Sequence, residues 1–137
     1  MVLYACAVFL AAFLLFQIQP LIAKIILPWF GGASSVWNTC MVFFQAALLL
    51  GYVYAHWLNE RLSARKQAAV HSAALLASLA VLPVMPGESW KSAPATYPEG
   101  HILLLLAATV GLPFFLLSTT SPLLQAWYAR THAGKTP

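Results

Sequence analysis

The sequence predicts an all-α integral membrane protein with four transmembrane helices and both termini cytoplasmic. Three observations predict it. Of 137 residues, 61% are hydrophobic and only 7% are charged, where a soluble domain carries about 25% charged residues. The apolar residues gather into four stretches, each near the ~20 residues that cross a bilayer as a helix. The few cations fall at the ends of those stretches, and unevenly.

The first span runs from about Val2 to Ala23. It lacks a basic leader and a convincing cleavage site, so it reads as a retained helix rather than a signal peptide. "PWFGGASS" breaks the chain after it, and Ser35 is placed to cap the second span, about Val36 to Leu58. "NERLSARK", residues 59–66, is a short polar turn. The third span runs from about Gln67 to Val84, and its Ala69, Ala73 and Ala77 predict a small-residue packing face. "PGESWKSAPATYPEG", residues 86–100, is a Pro/Gly-rich loop before the fourth span, about Ile102 to Leu124. "ARTHAGKTP" is a polar tail. The whole of residues 1–137 reads as one transmembrane module.

Orientation follows from the cations in short loops. One side would hold Arg61, Arg65, Lys66, Arg130 and Lys135, and the other Lys24 and Lys91. The richer side is expected to be cytoplasmic. Trp29, Trp37, Trp57, Trp90, Tyr97 and Trp127 fall near span ends, as interfacial aromatics do. The net charge of +4 is therefore spent on orientation. It is too scattered for the basic face that nucleic acid requires, and no nucleic-acid partner is expected. Cys6 and Cys40 both lie in apolar segments and read as buried thiols. Placed near opposite faces of the membrane, they are too far apart for a disulfide.

The polar residues inside the spans are the candidate site. Gln17 and Lys24 are seven residues apart on the first span, and Asn38, Gln45, Tyr52 and Asn59 repeat every seven on the second. Each set shares a helix face. Polar groups in lipid are costly unless they pair or face a bundle interior. The expectation is a hairpin in which the two stripes meet, giving an intramembrane polar cluster of Gln17, Lys24, Asn38, Gln45 and Tyr52. That cluster reads first as packing glue, then as a solute path. Lys24 reads as a snorkelling interfacial cation, or else a functional one. Pro20 frees the carbonyl of Phe16, and with Pro28 it suggests a bent helix entering an interfacial segment.

The fourth span supplies a second candidate, a broken-helix site of Pro113, Ser118, Thr119, Thr120, Ser121 and Pro122. Each proline frees a carbonyl, and nearby hydroxyls can bond carbonyls four residues back. Such breaks are ordinary membrane structure, and they also build substrate sites in transporters.

Several chemistries find no support. No aspartate is present, and Glu60, Glu88 and Glu99 all lie outside the spans, so a buried carboxylate pair is absent. "GGASS" lacks the spacing of a phosphate loop. His56 and His71 near the ends of adjacent spans raise a haem or metal pair, against the plainer reading of interfacial histidines. No catalytic residue, no metal and no cofactor is expected for this chain alone.

"FQIQPLIAKIILPWFGGASSVWNTCMVFFQAALLLGYVYAHWL" (16–58) and "LPFFLLSTTSPLLQAWYA" (112–129) carry a resemblance. With Gln17-x-Gln19-Pro20, the Pro28 to Gly32 run, the Gln45/Gly51/Tyr52/His56 helix and Ser121 to Gln125, the chain resembles the N-terminal membrane portion of bacterial spermidine-synthase-like membrane proteins, the fused major-facilitator-like/spermidine-synthase group. The resemblance implies location in the bacterial inner membrane. It also implies partnership with further transmembrane helices or a synthase-like domain of a longer or split protein. The Gly-rich and acidic motifs of that soluble domain are not in this chain, so the resemblance assigns no catalytic residue. Two functions follow as expectations: a membrane anchor or partner-binding module, non-catalytic alone, or a fragment of a transporter for a small polar or cationic solute.

Overall fold

A computed structural model describes residues 2–82, 85–91 and 98–132, and among these it is all helical. Helix α1 is Val2–Ile26 and α2 is Ser34–Arg61. Helix α3 is Ala64–Ser78, continued by a 3-10 turn at Leu79–Val81. A last continuous rod comprises α4, Pro98–Leu106, a π turn at Ala107–Gly111, and α5, Leu112–His132. Tyr97, Lys135 and the end of the third predicted span lie outside the described residues.

Among the described residues three helical stretches are long and apolar enough to cross a bilayer. At ~1.5 Å per residue α1 is about 38 Å long and α2 about 42 Å, against a hydrocarbon core of about 30 Å. The expected third span is different. Helix α3 has 15 residues, two of its first three are Arg65 and Lys66, and it spans about 22 Å before the 3-10 turn.

The connections follow from local chemistry. After α1 the chain tightens into a 3-10 turn, Leu27–Phe30, which admits Pro28 in its first turn. Gly31 and Gly32 then take positive φ, 82° and 67°, where side chains with a Cβ are strained. The Gly32 N–H closes the turn on the Leu27 carbonyl at 2.9 Å. Helix α2 starts at Ser34 with Ala33 as its cap residue and no side-chain cap bond. The expected cap, Ser35, lies inside the helix, where its carbonyl accepts from Thr39 at 2.9 Å.

The packing corrects the expected hairpin. Helix α5 is the common partner of α1, α2 and α3, α4 packs on α2, and α1 and α2 touch each other little. One core joins Leu15, Ile22 and Ile26 of α1, Cys40 and Phe44 of α2, and Leu105, Val110 and Phe114 of the last rod. Phe44 and Phe114 sit centroid to centroid at 4.9 Å. A smaller core joins Ala55 and Leu58 to Leu123. Cys40 is buried as expected, whereas Cys6 is exposed, because it lies on the side of α1 opposite Leu15 and Ile22.

The ends of the bundle sort as the charge pattern requires. Tyr4 meets Tyr128 edge-on at 5.5 Å, and Arg130 donates to the Asn59 carbonyl at 2.9 Å. Both ends of the described chain therefore lie at the end that carries Arg61, Arg65, Lys66 and Arg130. At the opposite end Lys91 stands over the Trp29 ring at 5.3 Å, and Trp90 and Phe30 flank His101.

Between the two cores α2 and α5 approach most closely. A Cβ placed on Gly51 would lie 1.9 Å from Ser118 Oγ, 3.0 Å from Ser118 Cβ and 3.3 Å from the Phe115 carbonyl. Gly51→Ala should destabilise the bundle by about 1–3 kcal/mol through overpacking. Removing the hydroxyl with Ser118→Ala should recover part of that loss. Unfolding of the single and double variants in detergent measures the coupling; strictly additive losses would place the clash elsewhere.

Candidate functional site

Gln17, Lys24, Asn38, Gln45 and Tyr52 are all exposed. The structure does not bring the two stripes together. In a helix at 3.6 residues per turn, Gln17 and Lys24 lie opposite Leu15, Ile22 and Ile26, the face that α1 buries. Gln45 and Asn38 likewise lie opposite Val36 and Ala47, on the side of α2 away from α5. The physical reason is that α5 offers each helix a closer partner. Gly51 and the hydroxyl face of α5 let backbones approach, while Gln17 and Gln45 would hold α1 and α2 apart. Pro20 is exposed, and α1 runs through it without a break.

The broken-helix residues follow one another along α5, and the hydroxyls of Ser118, Thr119 and Thr120 are committed, while Ser121 is half-buried. Ser118 and Thr119 are fully buried. The hydroxyls of Ser118 and Thr119 both donate to the Phe115 carbonyl, at 2.7 and 2.8 Å. Thr119 also lies 3.4 Å from the Gly51 carbonyl across the helix interface. Thr120 donates to the Leu116 carbonyl at 2.9 Å. Back-bonding of this kind hides hydroxyls inside a helix.

The two prolines behave differently. Pro122 lies within α5 without ending it. Pro113 follows the π turn at Ala107–Gly111. A proline ring collides with the carbonyl four residues back, here Thr109, and widening the preceding turn moves that carbonyl aside. Thr109 turns its own hydroxyl onto the Leu105 carbonyl at 2.7 Å.

Helix α3 faces the opposite way from expectation. Ala69, Ala73 and Ala77 are exposed, whereas Gln67, His71 and Ser78 are its buried residues. The polar side won because Gln67, His71 and Ser78 each find at least one bond there. Gln67 is completely buried. Its Nε2 donates to the carbonyls of Leu58 and Leu62 at 3.1 and 2.6 Å, and its Oε1 accepts from Trp127 Nε1 at 2.7 Å. One amide thus caps the last turn of α2 and ties it to α5. His71 Nε2 lies 2.9 Å from Thr120 Oγ1. Among the described residues His71 Nδ1 is left buried without a partner. Ser78 donates to the Leu75 carbonyl at 2.7 Å.

The sequence reading missed Gln67 as a structural residue. The signal was present: an amide just after a tight turn that leaves the final carbonyls of α2 without helix partners.

His56 and His71 do not share a site. His56 is exposed and lies 3.3 Å from Glu60 on its own helix, while His71 is engaged with Thr120. Among the described residues no cluster of three or more metal-ligating side chains occurs. A groove of about 650 Å³ lies between the start of α1 and the end of α5, bordered by Tyr4, Phe9, Gln125 and Tyr128. A second, of about 400 Å³, is lined by Leu14, Ile18, Leu76, Leu82, Pro113 and Leu117. Neither is lined by the outward polar stripes or by the hydroxyls of Ser118, Thr119, Thr120 and Ser121.

No family model, curated protein or solved structure matches the chain.

Gln67→Leu should cost about 2 kcal/mol or more, because it strands the Trp127 indole N–H and the Leu62 carbonyl in a buried setting. Adding Trp127→Phe should cost little further, since one stranded donor is then gone. Thermal unfolding in detergent reads both; a large added loss would mean that the indole N–H has another partner.

Proposed function

We propose that this chain is a membrane module, non-catalytic alone, that anchors or binds the remaining part of a spermidine-synthase-like membrane protein. It would lie in a bacterial inner membrane with both termini cytoplasmic. The observation that carries the reading is the outward placement of Gln17, Lys24, Asn38, Gln45 and Tyr52 on two long apolar helices. Amides facing hydrocarbon are costly, and among the described residues these side chains make no hydrogen bond. A surface of that kind suits a module completed by other helices.

The charge distribution supports the orientation. Arg61, Arg65, Lys66 and Arg130 lie at the end shared by Tyr4 and Tyr128, against Lys24 and Lys91 at the other. The residue resemblance supplies the family, and it assigns the transferase chemistry to the soluble domain rather than to these helices. A solute path loses ground because the hydroxyls of Ser118, Thr119 and Thr120 are spent on α5 carbonyls.

Alkaline carbonate should leave the expressed chain in the membrane pellet. Reporter fusions at either terminus should read as cytoplasmic, and the purified chain should show no aminopropyl transfer. A chain that stays monodisperse in buffer without detergent, or that turns over alone, overturns the proposal.

A further inference from the structure

Helix α2 carries more on its outward face than a row of amides. Asn38, Val42, Gln45, Leu49, Tyr52 and His56 follow one another at alternating spacings of four and three, and all six are exposed. Val42, Leu49 and Tyr52 are 60%, 64% and 52% exposed. This is a heptad seam, with apolar and hydrogen-bonding layers in alternation, and the 3.5-residue period keeps such a seam facing one partner along a left-handed crossing. From Asn38 to His56 it extends about 27 Å, nearly the thickness of the hydrocarbon core.

We propose that this seam pairs in parallel with the same seam of a second copy of the chain. The inference rests on the membrane-module reading and names one of its partners. Copies inserted with one orientation are related by a twofold axis along the membrane normal, so each seam residue meets its own counterpart. The seam chemistry suits that geometry. Amides and a phenol each carry both donor and acceptor, so Asn38, Gln45 and Tyr52 can bond their own copies. No Lys, Arg, Asp or Glu lies between Ser34 and Asn59 to repel itself. The outward face of α1 fails the same test, because Lys24 would meet Lys24. That face is left for a different helix. Leu49 and Val42 supply the apolar layers between the amides, as knobs do in a two-stranded coil.

The test uses the full chain in bilayers, with exposed Cys6 replaced by Ser and buried Cys40 kept. Mild oxidation should give disulfide-linked dimers from Val42→Cys, Gln45→Cys and Leu49→Cys. It should give few from Leu50→Cys and Trp57→Cys, which are exposed on the flank of the seam. Energy transfer between labelled copies should show Gln45→Leu weakening association about threefold to thirtyfold, the range of one interhelical amide bond in a membrane. Gln17→Leu should leave association unchanged. Equal linking at the flank positions, or a linked product with a different protein at position 49, overturns the self-pairing. So does a chain that resists carbonate extraction yet remains monomeric, and that result leaves the module reading standing. A chain that carbonate releases from the membrane overturns both.

Discussion

The fold depends on how closely α2 can lie against α5. At Gly51 the separation leaves no room for a Cβ, because Ser118 Oγ already occupies that place. With the backbones this near, Thr119 reaches the Gly51 carbonyl and Phe44 packs at a tilt against Phe114 to one side. On the other side Leu58 closes against Leu123. Oil does not drive helices together as water does, so close packing and a few bonds must hold them. A small residue facing a hydroxyl provides both. The rest of the arrangement follows: α5 becomes the shared axis, and α1 and α3 take the remaining sides.

Polar side chains divide into two populations. Most of those facing α5 are bonded within the chain, whereas Asn59 Oδ1 is buried without a partner among the described residues. Gln67 makes three bonds, and the α5 hydroxyls return their protons to their own helix. Those facing away are not saturated by any neighbour on α5. The division is sharp enough to carry meaning, since an unpaired amide costs most where no water reaches it. His71 is the intermediate case, with one ring nitrogen bonded and the other buried alone.

Much of this was legible in the residues. Long apolar runs predicted spans at about 2–23, 36–58 and 102–124, and helices stand over each of them, at 2–26, 34–61 and 98–132, because twenty oily residues admit few other structures in lipid. "PWFGG" predicted the break after α1, since two glycines supply the positive φ that turns the chain. The cations predicted which loops share an end. Pairing was not legible, because seven-residue spacing shows that Gln17 and Lys24 share a face but not where that face points. The same gap misled the reading of α3. Three alanines at spacings of four look like a packing face, yet a buried amide with three waiting partners outweighs them. The π turn was also hidden. Pro113 announced a disruption, but whether a helix bends, breaks or widens depends on what surrounds it.

The two outward faces differ in a way that bears on assembly. The face of α1 has an amide and a cation, and a cation in or near hydrocarbon is best met by an acceptor-rich or acidic neighbour. The face of α2 is uncharged over 24 residues and mixes donors with acceptors, which suits a neighbour identical to itself. A chain with two unlike faces on two different helices packed on α5 can therefore join two different contacts. Pairing through α2 leaves Lys24 free to choose a foreign partner. The exposed alanine stripe of α3 adds a third surface, on a helix too short to be selected as a span by its own apolar length. Its stability in the bundle comes from Gln67 and His71, so α3 is held by polar bonds to its neighbours more than by lipid around it.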